Sequence, residues 1–312
     1  MNELITVILP AGRSAMELSL FVLLPVMVVM LSIMRMLEAW GVLDWLVARI
    51  APLLRPFGLT GLGVFAALQI TFVSFAAPIA TLAMMEQRGS SDRHLAAAFA
   101  MVLAMAQANA VFPMAALGLQ VGPVLAFSLL GGLAAAAAAY YLFGRGLSAE
   151  EVAMDETLRH PLADSAKGVL DVINRAGAEA FKIAIGAIPM LVLSLVVVTA
   201  LRQGGAMDAL TRLLAPLLNQ AGIDVALILP TLTKYLAGGT AMLGVVDEQL
   251  RLGRFTAGLL NGSAGFLIHP LDLPGVAVLM SAGRRVAAVW KPAALGACMG
   301  IALRSLGHML VR

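Results

Sequence analysis

The sequence predicts an all-α integral membrane protein of two tandem homologous halves. Each half has about four membrane segments, with re-entrant hairpins and interfacial amphipathic helices as variants of that plan. Three observations predict it. Hydrophobic residues make up 61% of the 312 and charged residues 12%, about half the ~25% usual for soluble domains. Several uncharged apolar runs approach or exceed the ~20 residues needed to span a bilayer. The chain also repeats itself.

The apolar runs cover residues 16–36, 59–85, 95–112, 121–143, 180–201, 223–246, 255–282 and 286–305. Backbone groups cannot stay unpaired in lipid, so such runs must be helical, and no period-2 alternation suggests a barrel. The first run ends at Arg35 without a small-residue cleavage site and reads as a retained span. Between runs, residues 144–179 mix acidic residues such as Glu150 and Asp164 with Arg159, Lys167 and Arg175. This stretch reads as a linker with one or two helices outside the membrane.

Shifting the chain by 164 places Pro25 on Pro189, Gly41 on Gly205, Asp44 on Asp208 and Gly58 on Gly222. The same shift lays Ala51-Pro52-Leu53-Leu54 on Ala215-Pro216-Leu217-Leu218. Further on the offset falls to 157, where Phe112-Pro113 meets His269-Pro270. The expected organisation is a first membrane repeat over 1–143, a polar cytoplasmic linker over 144–178 and a second repeat over 179–312. Segments 42–54 and 206–219 carry apolar residues at helical spacing behind Asp44 and Asp208. They are expected as short amphipathic helices at the interface.

With four crossings per half, the termini, the linker and the loops at 86–93 and 247–254 share one side. Twelve Lys and Arg then fall on that side, Lys182 and Arg304 among them, against eight on the other. The excess favours termini in the cytoplasm of a bacterial inner membrane. A re-entrant hairpin in each half would instead make the crossings odd and invert the halves, and both arrangements stay open on sequence.

The composition excludes several functions. A net charge of +3 on scattered basic residues gives no nucleic-acid footprint. The single Cys298 rules out an internal disulfide and thiol clusters. No P-loop, HExxH, CxxC or nucleophile elbow is present, so no enzyme, cofactor or metal site is expected. The eighteen methionines read as packing.

Polar chemistry inside apolar runs marks the candidate site, because transporters bind solute where helices break at matching places of two halves. The 59–85 run is interrupted by Gln69, Ser74 and Pro78, and its partner by Lys234, Gly238, Gly239 and Thr240. The next pair carries Gln107, Asn109 and Pro113 in one half and Asn261, Ser263, His269 and Asp272 in the other. An ammonium at mid-membrane depth costs about 2.5–3.5 kcal/mol on insertion scales. Lys234 should therefore face a solute, or pair with Asp272, Asp247 or Glu248. His269 could carry protons or be structural. Asn109, Asn261 and Gln107 could read a solute or tie helices together.

The paired G-x-x-D-x-L…A-P-L-L…G stretches, each followed by a broken segment rich in Gly, Ser, Thr and Asn, resemble the nucleoside-recognition or "gate" domain proteins. That family pattern occurs in spore maturation membrane proteins, in the membrane part of ferrous-iron permeases and, more distantly, in concentrative nucleoside transporters. The resemblance implies Gln69, Ser74, Asn109, Lys234, Thr240 and Asn261 as gate-lining positions. A nucleoside site would pair amides with carboxylates, for which only Asp272 stands in mid-segment. The functional expectation is a secondary transporter or permease of a small polar solute, nucleoside-like or an organic anion. Its partners are the lipid bilayer and a second copy or second membrane subunit. The alternatives are an accessory subunit acting only with a partner, or an ion or metal pathway.

Overall fold

The computed structural model describes residues 2–150, 168–220 and 222–310, and among these every regular element is helical. Helices α1 (Asn2–Glu17) and α2 (Leu24–Ala39) are joined through a π-helical stretch, Leu18–Leu23. After Gly41 comes α3 (Val42–Leu54), then α4 (Gly61–Phe72), α5 (Pro78–Gln87), α6 (Asp92–Ala104), α7 (Ala108–Ala115) and α8 (Val121–Ala138). The order recurs as α9 (Val169–Gln203), α10 (Ala206–Gln220), α11 (Ile228–Ala237), α12 (Gly239–Arg251), α13 (Ala257–Leu267) and α14 (Leu273–Met280). A short α15 (Arg284–Ala288) precedes the last span, α16 (Trp290–Leu310). Among the described residues, four helical stretches are long and apolar enough to cross a membrane: Val7–Leu37, Asp92–Ala115, Val121–Phe143 and Trp290–Leu310. The chain is a multi-pass membrane protein.

Matching glycines end matching elements. Gly41 and Gly205, Gly58 and Gly222, and Gly89 and Gly253 all have φ between 66° and 76°, a left-handed conformation that side chains with a Cβ resist. Helices α3 and α10 coincide with the expected amphipathic segments to within one residue. Leu43 and Val47 are buried on α3 while Trp45 and Leu53 stay exposed. On α10, Leu210, Leu214 and Leu218 pack inward at four-residue spacing while Leu213 and Leu217 face out. The side chains of Asp44 and Asp208 lie outside the described residues.

The structure reshapes two expected segments. The 59–85 run is a hairpin: α4 and α5 pack on each other, as do α11 and α12 across Gly238. Helices α6 and α7 instead continue as one interrupted span, Asp92–Ala115. Both ends of the first hairpin meet the far end of α8, which runs on as a π-helical stretch, Ala139–Phe143, and a turn: the Tyr141 hydroxyl donates to the Pro56 carbonyl at 2.8 Å and Arg93 Nε to the Leu147 carbonyl at 3.0 Å. The second hairpin's ends, Asp224 and Thr256, line one pocket with Gly118 and Gln120.

Each hairpin therefore enters and leaves on one side, and the two use opposite sides. The first helices agree: Ala11 and Ala15 cluster with Leu195, while Leu31 and Met34 cluster with Ala176 and Ala180. The Ser19 hydroxyl donates to the Ala184 carbonyl at 2.5 Å, and Arg35 pairs with Glu179 at 2.9 Å. Equivalent helices run antiparallel, so of the two arrangements open on sequence the structure has the inverted one.

One sidedness expectation changes with it. Residue 168 emerges at the Gly41 end, opposite residue 2, so the linker and the N-terminus do not share a side. The second half's first helix also begins at Val169, which absorbs the last ten residues assigned to the linker. Residues 151–167 lie outside the described residues.

Candidate substrate site

Breaks in helices leave backbone groups free, and here four helix starts meet at one place. Helices α5, α7, α12 and α14 each begin after a hairpin tip or a mid-span break. Ala76, two residues before α5, and the first residues or caps of the other three, Asn109, Gly239, Thr240 and Asp272, line a single cavity of about 390 Å³. That is within the ~300–1,000 Å³ typical of small-molecule sites. Unpaired N–H groups give a helix start a partial positive charge, so the cavity favours carbonyl, hydroxyl or carboxylate oxygens. Its wall is mostly apolar, with Met27, Phe75 and Val278 among the lining residues.

Five predicted residues come together there: Ser74, Gln107, Asn109, Thr240 and Asp272. Asn109 spans the halves. Its Oδ1 accepts from the Phe75 amide at 3.2 Å, and its Nδ2 donates to the Thr240 hydroxyl at 3.3 Å. Gln107 lies against Gly239, where an added Cβ would collide with its amide group. A side chain at 239 would have to displace that amide, and Gly238, with φ of 91°, takes the left-handed turn that favours glycine. Asp272 caps α14, its Oδ1 accepting from Gly275 N at 2.7 Å.

Lys234 lies behind the wall. It is fully buried and its ammonium forms an ion pair with Asp272 Oδ2, the first of the partners considered for it. The Tyr235 ring sits 5.3 Å from its Nζ, close enough for a cation–π contribution. The pair ties α11 to the break between α13 and α14. Gln69 is next to the site rather than in it, accepting from the Thr81 hydroxyl at 2.7 Å across the first hairpin.

The remaining predicted residues are elsewhere. Asn261 holds the loop before α8, accepting from Gln120 N at 2.7 Å and donating to the Gly118 carbonyl at 2.9 Å. Ser263 donates to the Leu259 carbonyl at 2.7 Å within its own helix. His269 is fully buried beside the break, its Nδ1 accepting from Leu271 N at 3.1 Å.

Several contributors were not singled out by sequence. Lys182 of α9 lines the cavity, and Ser128 of α8 accepts from Ala106 N at 2.7 Å, satisfying the first break. Arg304, expected at an aqueous edge, is fully buried, because α16 continues to Leu310, well past the apolar run that ended at residue 305. A charge one turn inside a predicted span end was the available signal.

Residues 20–124 match the Gate family. The family is described as nucleoside recognition, and the match takes in both the first hairpin and the first broken span. Among solved structures, the chain is similar to a doubly substituted CNTnw, a concentrative nucleoside transporter, in an outward-facing state. The TM-score is 0.68 at 18% identity, covering 93% of this chain and 76% of that one. CNTnw in an inward-facing substrate-bound state gives 0.65 at 19% identity, over 92% and 72%. At that identity the likeness is one of fold. Comparison with curated proteins by sequence gives no match.

Proposed function

We propose that the chain is a permease carrying a small polar, nucleoside-like solute across the bacterial inner membrane, gated by its two hairpins and two broken spans. The supporting observation is the cavity between the halves, where Asn109, Gln107, Ser74 and Thr240 offer hydrogen bonds amid apolar walls. This pattern suits a flat heterocycle bearing carbonyl and hydroxyl groups. Transport by such a fold is a rocking of one half or hairpin against the other around the bound solute. The Gate match and the shared fold with a nucleoside transporter support the same reading.

A second reading, an organic anion, is favoured by Lys182 at the cavity and by the starts of α7, α12 and α14 in its wall. Both are tested by thermal shift of the detergent-purified protein against nucleosides, nucleobases and organic anions, followed by uptake into proteoliposomes. A ligand of the folded state raises the melting temperature by mass action. The nucleoside reading expects a hit that weakens about tenfold in Asn109→Ala and Thr240→Ala, the loss of roughly one hydrogen bond each. An anion hit lost in Lys182→Ala supports the second reading, and no hit in either class sinks both.

A further inference from the structure

The two broken spans leave carbonyl groups free as well as amides. Helix α6 ends at Ala104 and α13 is capped at its end by Ile268, and the repeat offset of 164 places these two residues on each other. Each helix end carries about half a negative charge, so two such ends at mid-membrane depth amount to roughly one. One guanidinium answers both. Arg304 Nη1 donates to the Ala104 carbonyl, and Nη2 donates to the Ile268 carbonyl at 3.0 Å.

The surroundings are shaped for this side chain. A Cβ on Gly131 would lie 2.6 Å from Arg304 Cδ, and one on Gly265 would lie 2.6 Å from the Arg304 carbonyl. Glycine at these two positions clears the path of the Arg304 side chain and the seat of its backbone. A lysine could not reproduce the contact, because a point ammonium lacks the planar fork that serves two acceptors at fixed separation.

Three residues after Ala104 comes Gln107, and four after Ile268 comes Asp272, both at the cavity. We infer that Arg304 is a positioning residue that pins the two helix breaks to each other. It supplies in covalent form the positive charge that paired helix ends otherwise draw from a free cation. This inference stands on the geometry of the breaks and does not rest on the transport reading.

The test is thermal unfolding and hydrogen exchange of the detergent-purified full chain. Arg304→Ala should lower the melting temperature by roughly 10 °C, as expected for uncovering buried charge. Millimolar guanidinium should restore much of that loss while equal urea does not. Rescue by neither, or equally by both, overturns the inference. Arg304→Lys, which keeps the charge and is the variant to use if the alanine protein does not fold, should speed amide exchange at 105–108 and at 269–272 together. Faster exchange at one break alone, or only within α16, also overturns it.

Discussion

A buried ion pair contributes little net stability, yet breaking it is costly because the surviving charge has no water to return to. Lys234 and Asp272 are such a pair. Lys234→Ala should therefore destabilise the protein by about 3–5 kcal/mol. Lys234→Met combined with Asp272→Asn should recover most of that loss, and chemical or thermal unfolding of the single and double variants measures the coupling. Additive losses would show that the pair does not act as a unit. That Lys234 needs a partner was legible from one charge in a long apolar run, and Asp272 was among the partners considered. Asn109 and Asn261 read alike in sequence, yet only Asn109 reaches the cavity. Asn261 lies one turn after the start of α13, at the end of a span, whereas Asn109 follows a break inside one. The position of a break relative to the bilayer is set by tertiary packing, and no local pattern records it.

Among elements, the glycine pairs separate backbone strain from crowding. At Gly222, φ is 66° and nothing lies within 4 Å of where a Cβ would sit, so Gly222→Ala should cost about 1 kcal/mol, the left-handed penalty alone. At Gly58, φ is 76° and a Cβ would lie 2.5 Å from Tyr140 Cδ2. Gly58→Ala should then cost about 2–4 kcal/mol, and equal losses in thermal unfolding would remove the crowding argument. The amphipathic helices were legible because their apolar residues keep a strict helical period. The hairpins were not. A 27-residue apolar run with polar interruptions at Gln69, Ser74 and Pro78 fits a kinked span as well as a reversal. What decides is that both hairpin ends find partners at the far end of α8, a contact over many residues of sequence.

At the scale of the whole molecule, the antiparallel packing of α2 and α9 sorts the charges anew. Among the described residues, the face bearing Gly41 gathers ten Lys and Arg, including Arg49, Arg55, Arg88, Arg93, Arg284 and Arg285. The opposite face, with residues 2 and 310, holds five, and Lys182, Lys234 and Arg304 belong to neither. From this sorting the positive-inside rule predicts a cytoplasmic Gly41 face with the termini across the membrane, where the sequence alone predicts cytoplasmic termini. In a Cys298→Ala background, Gln203→Cys should react with an impermeant maleimide in intact cells and Trp40→Cys only after lysis. Labelling of both from one side would contradict the inverted arrangement. The same inversion makes Asn109 a bridge between opposed bodies, one amide holding the first hairpin and the other half's Thr240. An arriving solute that takes this amide has to evict Thr240 or Phe75. On the proposed reading, occupancy would be a swap of partners, in which Asn109 gives up Thr240 or Phe75 for the passenger.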